Sequence, residues 1–190
     1  MSQTPIYTIG YGARDIAAFI DALKQYQIDY VIDVRSRPYS RYKSEFSKRP
    51  LEQELTANEI HYVFLGDSLG GRPDDPTCYK DDGKVDYEKC RERPQFLSGI
   101  KRLRKAYDQQ MRVALMCSEG KPEMCHRTKL IGEVLDGEGI DVQHIDENDT
   151  LLSHRQVMLR VHKGQPSLFG DEFFKHTSRK SYFKGEDESE

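Results

Sequence analysis

Two cysteines, a glutamate, a histidine and an arginine crowd one stretch of the chain, Cys117-Ser-Glu-Gly-Lys-Pro-Glu-Met-Cys125-His126-Arg127. A thiolate is a strong nucleophile, imidazole moves protons near neutral pH, and a carboxylate serves as acid or base. The block starts where the apolar run Val113–Cys117 ends, and Cys125-His126-Arg127 falls near the start of the helical pattern that follows. Amide N–H groups and the dipole at a helix start favour an anion and lower the pKa of a nearby thiol. Three readings of Cys117 fit. It packs at a strand end as a small hydrophobe, it binds zinc with Cys125 and His126, or it is a nucleophile with Glu119 and His126 as acid–base partners. A zinc site lacks a fourth ligand at familiar spacing, and adjacent Cys-His is awkward for one ion. The expectation is therefore no metal and no other cofactor.

A second segment points to phosphate. Arg35-Ser-Arg-Pro-Tyr-Ser-Arg41-Tyr-Lys43-Ser-Glu-Phe-Ser-Lys48-Arg49 holds six basic residues and one acid, with Tyr39, Tyr42 and Phe46 between them. Arginine forks grip phosphate, and aromatic rings stack on bases. Asp33, just upstream, is placed to pair with one of these arginines.

Such residues act together only if the fold brings them to one edge. Five short apolar runs read as buried strands: Ile6–Ile9, Tyr30–Val34, Tyr62–Leu65, Val113–Cys117 and Val142–Ile145. Helical patterns fall between them at Asp15–Tyr26, Pro50–Ile60, Pro94–Tyr107 and Glu123–Leu135. Strict alternation predicts an α/β fold, a mostly parallel five-stranded sheet with helices on both faces. Ligands of such sheets bind beyond the carboxyl ends of the strands. The exits carry Gly10-Tyr11-Gly12, then Asp33, Arg35, Pro38, Ser40 and Arg41, then Gly70 and Gly71, then the Cys117–Arg127 block. Convergence predicts a composite site. Cys117, Glu119, His126 and Asp33 would be catalytic. The glycines, Tyr11, Arg35, Pro38, Ser40, Arg41 and Arg127 would hold phosphate or ligand. Asp67–Tyr87, long and glycine-rich, reads as a functional lid.

The 190 residues suit one domain at 1–163 and a C-terminal tail at 164–190, charged and loose from Ser178. No apolar run approaches the ~18 residues of a membrane span, and the N-terminus has no basic segment followed by an apolar one. A cytoplasmic protein without a membrane partner is expected. Its four cysteines are then free, catalytic or metal-bound rather than disulfide-bonded. A net charge of −3 argues against avid, non-specific nucleic-acid binding, while leaving room for a local basic face.

The blocks Thr8-Ile-Gly-Tyr-Gly12, Ile32-Asp-Val-Arg-Ser-Arg-Pro-Tyr-Ser-Arg41, Leu69-Gly-Gly71 and Met116-Cys-Ser-Glu with Cys125-His-Arg127 resemble the signatures of DUF family 488, a domain of unknown function. The resemblance implies an α/β fold with these blocks as the site, and no reaction. Asp33-Val-Arg35 and the strand-end Cys117 are also similar to rhodanese sulfurtransferases. The departure is that eight residues separate Cys117 from His126, where a rhodanese loop closes in a few. Gln165-Pro-Ser-Leu168-Phe169 resembles the pentapeptide that docks bacterial repair and replication proteins on the sliding clamp, and would place the chain on DNA. The same residues equally suit a tail packed back on the domain. The leading reading is an enzyme acting on a nucleotide, nucleic acid or phosphorylated small molecule, with a DNA-repair association. The alternatives are a non-catalytic clamp-docking adaptor and a thiol or sulfur-transfer enzyme. The sequence does not specify the oligomeric state.

Overall fold

The computed structural model describes residues 3–162 and 177–182. The strands are β1 (Ile6–Gly10), β2 (Tyr30–Asp33), β3 (His61–Phe64), β4 (Lys84–Asp86), β5 (Val113–Cys117), β6 (Val142–Ile145), β7 (Leu151–Ser153) and β8 (Thr177–Ser181). The helices are α1 (Ile16–Gln25), α2 (Lys48–Ala57), α3 (Gly66–Leu69), α4 (Tyr87–Arg91), α5 (Pro94–Asp108), α6 (Glu133–Gly137) and α7 (His154–Val161). Six strands form the main sheet in the order β3-β2-β5-β1-β6-β7. The five expected strands are its parallel members, and β7 adds an antiparallel edge beside β6. The sheet is thus one strand wider than expected. β7 escapes a sequence reading because three residues are too few to show a period.

Alternation along each strand feeds two apolar layers. Tyr7, Ile9, Val31, Ala114 and Met116 meet Phe19 and Leu23 of α1 and Leu51 and Leu55 of α2. Ile6, Ile32, Val113, Leu115 and Cys117 meet Phe96, Ile100 and Leu103 of α5 and Leu130 to Leu135 beyond β5. Asp15 caps α1, its carboxylate accepting from the Ala18 amide at 2.8 Å. In α5 the stripe is completed by Gly99 and Ala106, whereas Leu97 faces solvent.

Three expectations need correction. Glu123–Leu135 is no continuous helix. A 3-10 turn at Pro122–Met124, an extended Cys125 and a π-helical turn at Arg127–Gly132 precede α6. Asp67–Tyr87 is no open lid, because Cys78, Val85 and Tyr87 are buried and Tyr79 bridges Val85. Residues 177–182 are not loose either: β8 pairs antiparallel with β4, and Ser178 Oγ accepts the Val85 amide at 2.8 Å. Gln165, Leu168 and Phe169 lie outside the described residues. Among the described residues no helix is long and apolar enough to cross a membrane.

Candidate active site

Gly10 ends β1 directly beside Cys117 at the end of β5. The pairing continues past the strands: the Tyr11 amide donates to Cys117 O at 3.1 Å and the Gly12 amide to Ser118 O at 3.0 Å. A Cβ on Gly10 would fall on the Glu119 carbonyl and 2.7 Å from the Arg127 guanidinium. Gly12, at φ +46°, faces Gly120. The close backbone approach that these glycines permit is therefore taken by the chain's own loop at residues 118–120 rather than by a ligand.

That loop is held by Arg127. Its side chain has no exposed surface and donates to the Glu119 carbonyl and, at 3.0 Å, to the Gly120 carbonyl. Expected as a phosphate ligand, Arg127 instead fixes the chain that leads from Cys117.

Cys117, Cys125 and His126 meet under this loop. His126 Nδ1 lies 3.9 Å from Cys117 Sγ and 3.6 Å from Cys125 Sγ. His126 Nε2 is 3.1 Å from the Val34 carbonyl, which can only accept, so Nε2 carries a proton and Nδ1 is the ring nitrogen that faces the sulfurs. Adjacent residues aim at one point because the backbone turns between them: Cys125 is extended at φ −113°, ψ 149° and His126 helical at φ −63°, ψ −24°. A bond from the Cys125 thiol holds Cys117 well below the ordinary thiol range against burial, and His126 and Arg127 add to the effect. Burial and the bond to Cys117 push Cys125 well above that range. Gly71 packs against the imidazole, where a Cβ would lie 2.7 Å from its Cγ. Gly70 packs against Gly66 and Ser36 in the same way.

Basic residues lead away from this cluster, and two of them, Arg179 and Lys180, come from β8. Arg179 pairs with Glu119 at 3.1 Å. Burial lowers the Lys129 ammonium pKa while the Cys125 sulfur raises it, and Arg179 opposes its charge. Lys180 is lowered by burial and then by Arg179 and Arg72. The Arg72 guanidinium stacks 4.1 Å from the Tyr182 ring centroid. Beneath them, burial followed by Cys125 and Tyr182 pushes the Tyr87 phenol up, so it stays a protonated donor. Lys129, Tyr87 and the β8 residues were missed from sequence. Residues 177–182 are polar up to Tyr182, so no apolar alternation marks the strand.

The second-strand residues gather elsewhere. Asp33 is fully buried and accepts from Arg35 Nε at 2.9 Å, Arg35 Nη2 at 2.7 Å and the Tyr62 hydroxyl at 2.8 Å. Burial works against the Arg35 charge, and Asp33 more than restores it. Arg35 lies 5.5 Å from the Tyr11 ring centroid, and Tyr11 stacks on Phe46 at 4.2 Å. Tyr11, Phe46 and Tyr62 belong to the α1–α2 layer, whereas Cys117 and Cys125 belong to the α5 layer. The sheet edge thus divides the composite site expected from sequence. Pro38 O and Ser40 fold the loop onto Lys48, Ser47 and Lys43, while Arg41, Tyr39 and Tyr42 face solvent.

A buried polar chain runs behind the pocket. Thr8 Oγ1 lies 2.7 Å from His144 Nδ1, His144 Nε2 lies 3.0 Å from His154 Nδ1, and His154 Nε2 lies 3.0 Å from Glu133. Burial, His154 and Arg127 hold the His144 pKa well below the ordinary imidazole value. Held neutral, His144 donates from one ring nitrogen and accepts at the other.

The family described as "Domain of unknown function DUF488" matches residues 15–134, which span the second-strand segment, Gly70-Gly71 and the Cys117–Arg127 block. Neither the curated proteins nor the solved structures gave a match to the chain.

Proposed function

The chain belongs to the DUF488 family, and we propose that it is an enzyme acting on an anionic substrate, a nucleotide, nucleic acid or phosphorylated small molecule, in the pocket floored by Cys117, Cys125 and His126. The observation that carries this reading is the run of cations that leads away from the Cys125 sulfur, with Lys129 beside it and Arg179, Lys180 and Arg72 following around Glu119. Like charges brought together repel, and a bound anion relieves that repulsion. Arginine forks at the rim suit phosphate oxygens, and Tyr182, already stacked under Arg72, offers a face to a base.

Each group has a distinct task. The rim draws the anion in and orients it. Glu119, held by Arg179, stands at the mouth as an acid–base group that an arriving anion can release. The Tyr87 hydroxyl donates to charge developing inside the pocket. His126 is fixed through Val34, so its Nδ1 keeps one orientation throughout. Arg127 and Gly10 hold the loop that carries Glu119, and through it the distance between mouth and floor.

The test is calorimetric titration of the full chain with inorganic phosphate, nucleoside mono- and triphosphates and a short single-stranded oligonucleotide. Replacing Arg179 and Lys180 together by Ala should weaken binding of the best ligand by about tenfold or more, because each charged contact contributes about 1.5–3 kcal/mol. Binding should also fall as salt rises. Absence of binding by every ligand, or binding indifferent to the double substitution, would sink the reading.

A further inference from the structure

We infer that Cys117, Cys125 and His126 form a binding site for one thiophilic divalent cation of the zinc class. The three ligand atoms, two Sγ and Nδ1, all lie within 4.8 Å of one another. A tetrahedral ion with sulfur at about 2.3 Å and nitrogen at about 2.0–2.1 Å sets sulfur and nitrogen about 3.6 Å apart. The two sulfur–nitrogen distances here are 3.9 and 3.6 Å, so an ion fits between these atoms with adjustments of a few tenths of an ångström. The imidazole already turns Nδ1, and not Nε2, toward the sulfurs. Its Nε2–H is bound by the Val34 carbonyl, the outer-shell contact that orients metal-ligating histidines.

The sequence argument against a metal was the adjacency of Cys125 and His126. The extended-to-helical change between them removes it, because it sends both side chains to the same point. Charge also suits a cation. Two thiolates balance a divalent ion, Arg127 is directed at the carbonyls of residues 119 and 120, and the charge of Lys129 beside Cys125 is disfavoured by burial. Among the described residues no further His, Cys, Asp or Glu joins the three. The fourth position is therefore left to water or to substrate, the arrangement of a catalytic rather than a structural zinc site.

This inference rests on the reading of the pocket as the reactive centre, and it changes what Cys117 does there. A coordinated sulfur is a ligand, and the nucleophile becomes a water on the ion, facing the anion that the rim would hold. The chain's own residues then supply binding, orientation and proton transfer around that position.

The experiment uses the full chain, purified without chelator and analysed by inductively coupled plasma mass spectrometry. The metal is then stripped with a chelator and replaced by Co²⁺, with spectra recorded. One equivalent of zinc and an intense sulfur-to-cobalt charge-transfer band are expected. Cys117→Ser, Cys125→Ser and His126→Asn, each checked for folding by circular dichroism, should lose at least tenfold in Co²⁺ affinity, and Cys90→Ala should not. A folded wild-type chain that carries no metal and gives no charge-transfer band overturns the site, as do cysteine variants that bind Co²⁺ like wild type. Inorganic phosphate binding is measured on the same stripped and cobalt-loaded samples. Phosphate binding without a metal signal removes the cation alone, and a metal signal without phosphate binding removes the anion reading alone.

Discussion

His126 presents its Nε2 to the Val34 carbonyl at 3.1 Å, and that contact fixes which ring nitrogen faces Cys117 and Cys125. The parallel sheet thereby sets the chemistry of a loop. β2 supplies an acceptor just past its last residue, and β5 supplies the sulfur from the neighbouring position.

The crowding at Gly10 has a stability consequence. Gly10→Ala places a methyl on the Glu119 carbonyl and against Arg127, neither of which can yield without opening the loop. The expected cost is about 2 kcal/mol, at the middle of the range for overpacked sites. Urea unfolding of the purified variant measures it. A change below a few tenths of a kcal/mol would mean that the loop is not held as described.

Arg35 and Asp33 separate a structural from a catalytic role. Arg35→Ala leaves a fully buried carboxylate with only the Tyr62 hydroxyl and a backbone amide, and should cost about 3–5 kcal/mol. Tyr62→Phe removes one donor to that charge and should cost about 1–2 kcal/mol. Equilibrium unfolding of both variants gives the two values. Stable variants that lose only substrate binding would return Asp33 and Arg35 to the reactive centre.

His144 predicts an acid limb of stability. Its folded pKa is depressed, whereas in the unfolded chain it returns to about 6.5. Below that value the unfolded chain binds the proton that the folded chain refuses, so stability is full above about pH 6.5 and falls as the pH drops through it. His154, Glu133 and Arg127 face the same chain of hydrogen bonds, so the reading is taken as a difference. His144→Gln should flatten the slope between about pH 6.5 and 5 relative to wild type. Parallel slopes in the two proteins would remove His144 as the cause.

The parallel core was legible because each of its strands is a short apolar run closed by a turn, and Val113–Cys117 and Val142–Ile145 match residue for residue. The meeting of Cys117, Cys125 and His126 follows from their nearness in sequence. What lay hidden was long-range. Nothing in Thr177–Ser181 announces a partner ninety residues upstream, since a charged edge strand has no apolar face to show. The break at Cys125 was hidden as well: a π turn next to an extended residue keeps the apolar spacing of a helix while changing where His126 points. Strand alternation past Asp33 could have warned that Arg35 and Cys117 face opposite layers.

The central claim is that an anion binds over Cys117. The direct measurement is the rate at which iodoacetamide modifies Cys117 in the chelator-treated full chain, followed by peptide mass spectrometry, with and without saturating nucleotide, oligonucleotide or phosphate. At least one of these anions should slow modification of Cys117 by about tenfold or more, as expected when ~90% of sites are occupied. An unchanged rate with every one of them would contradict it.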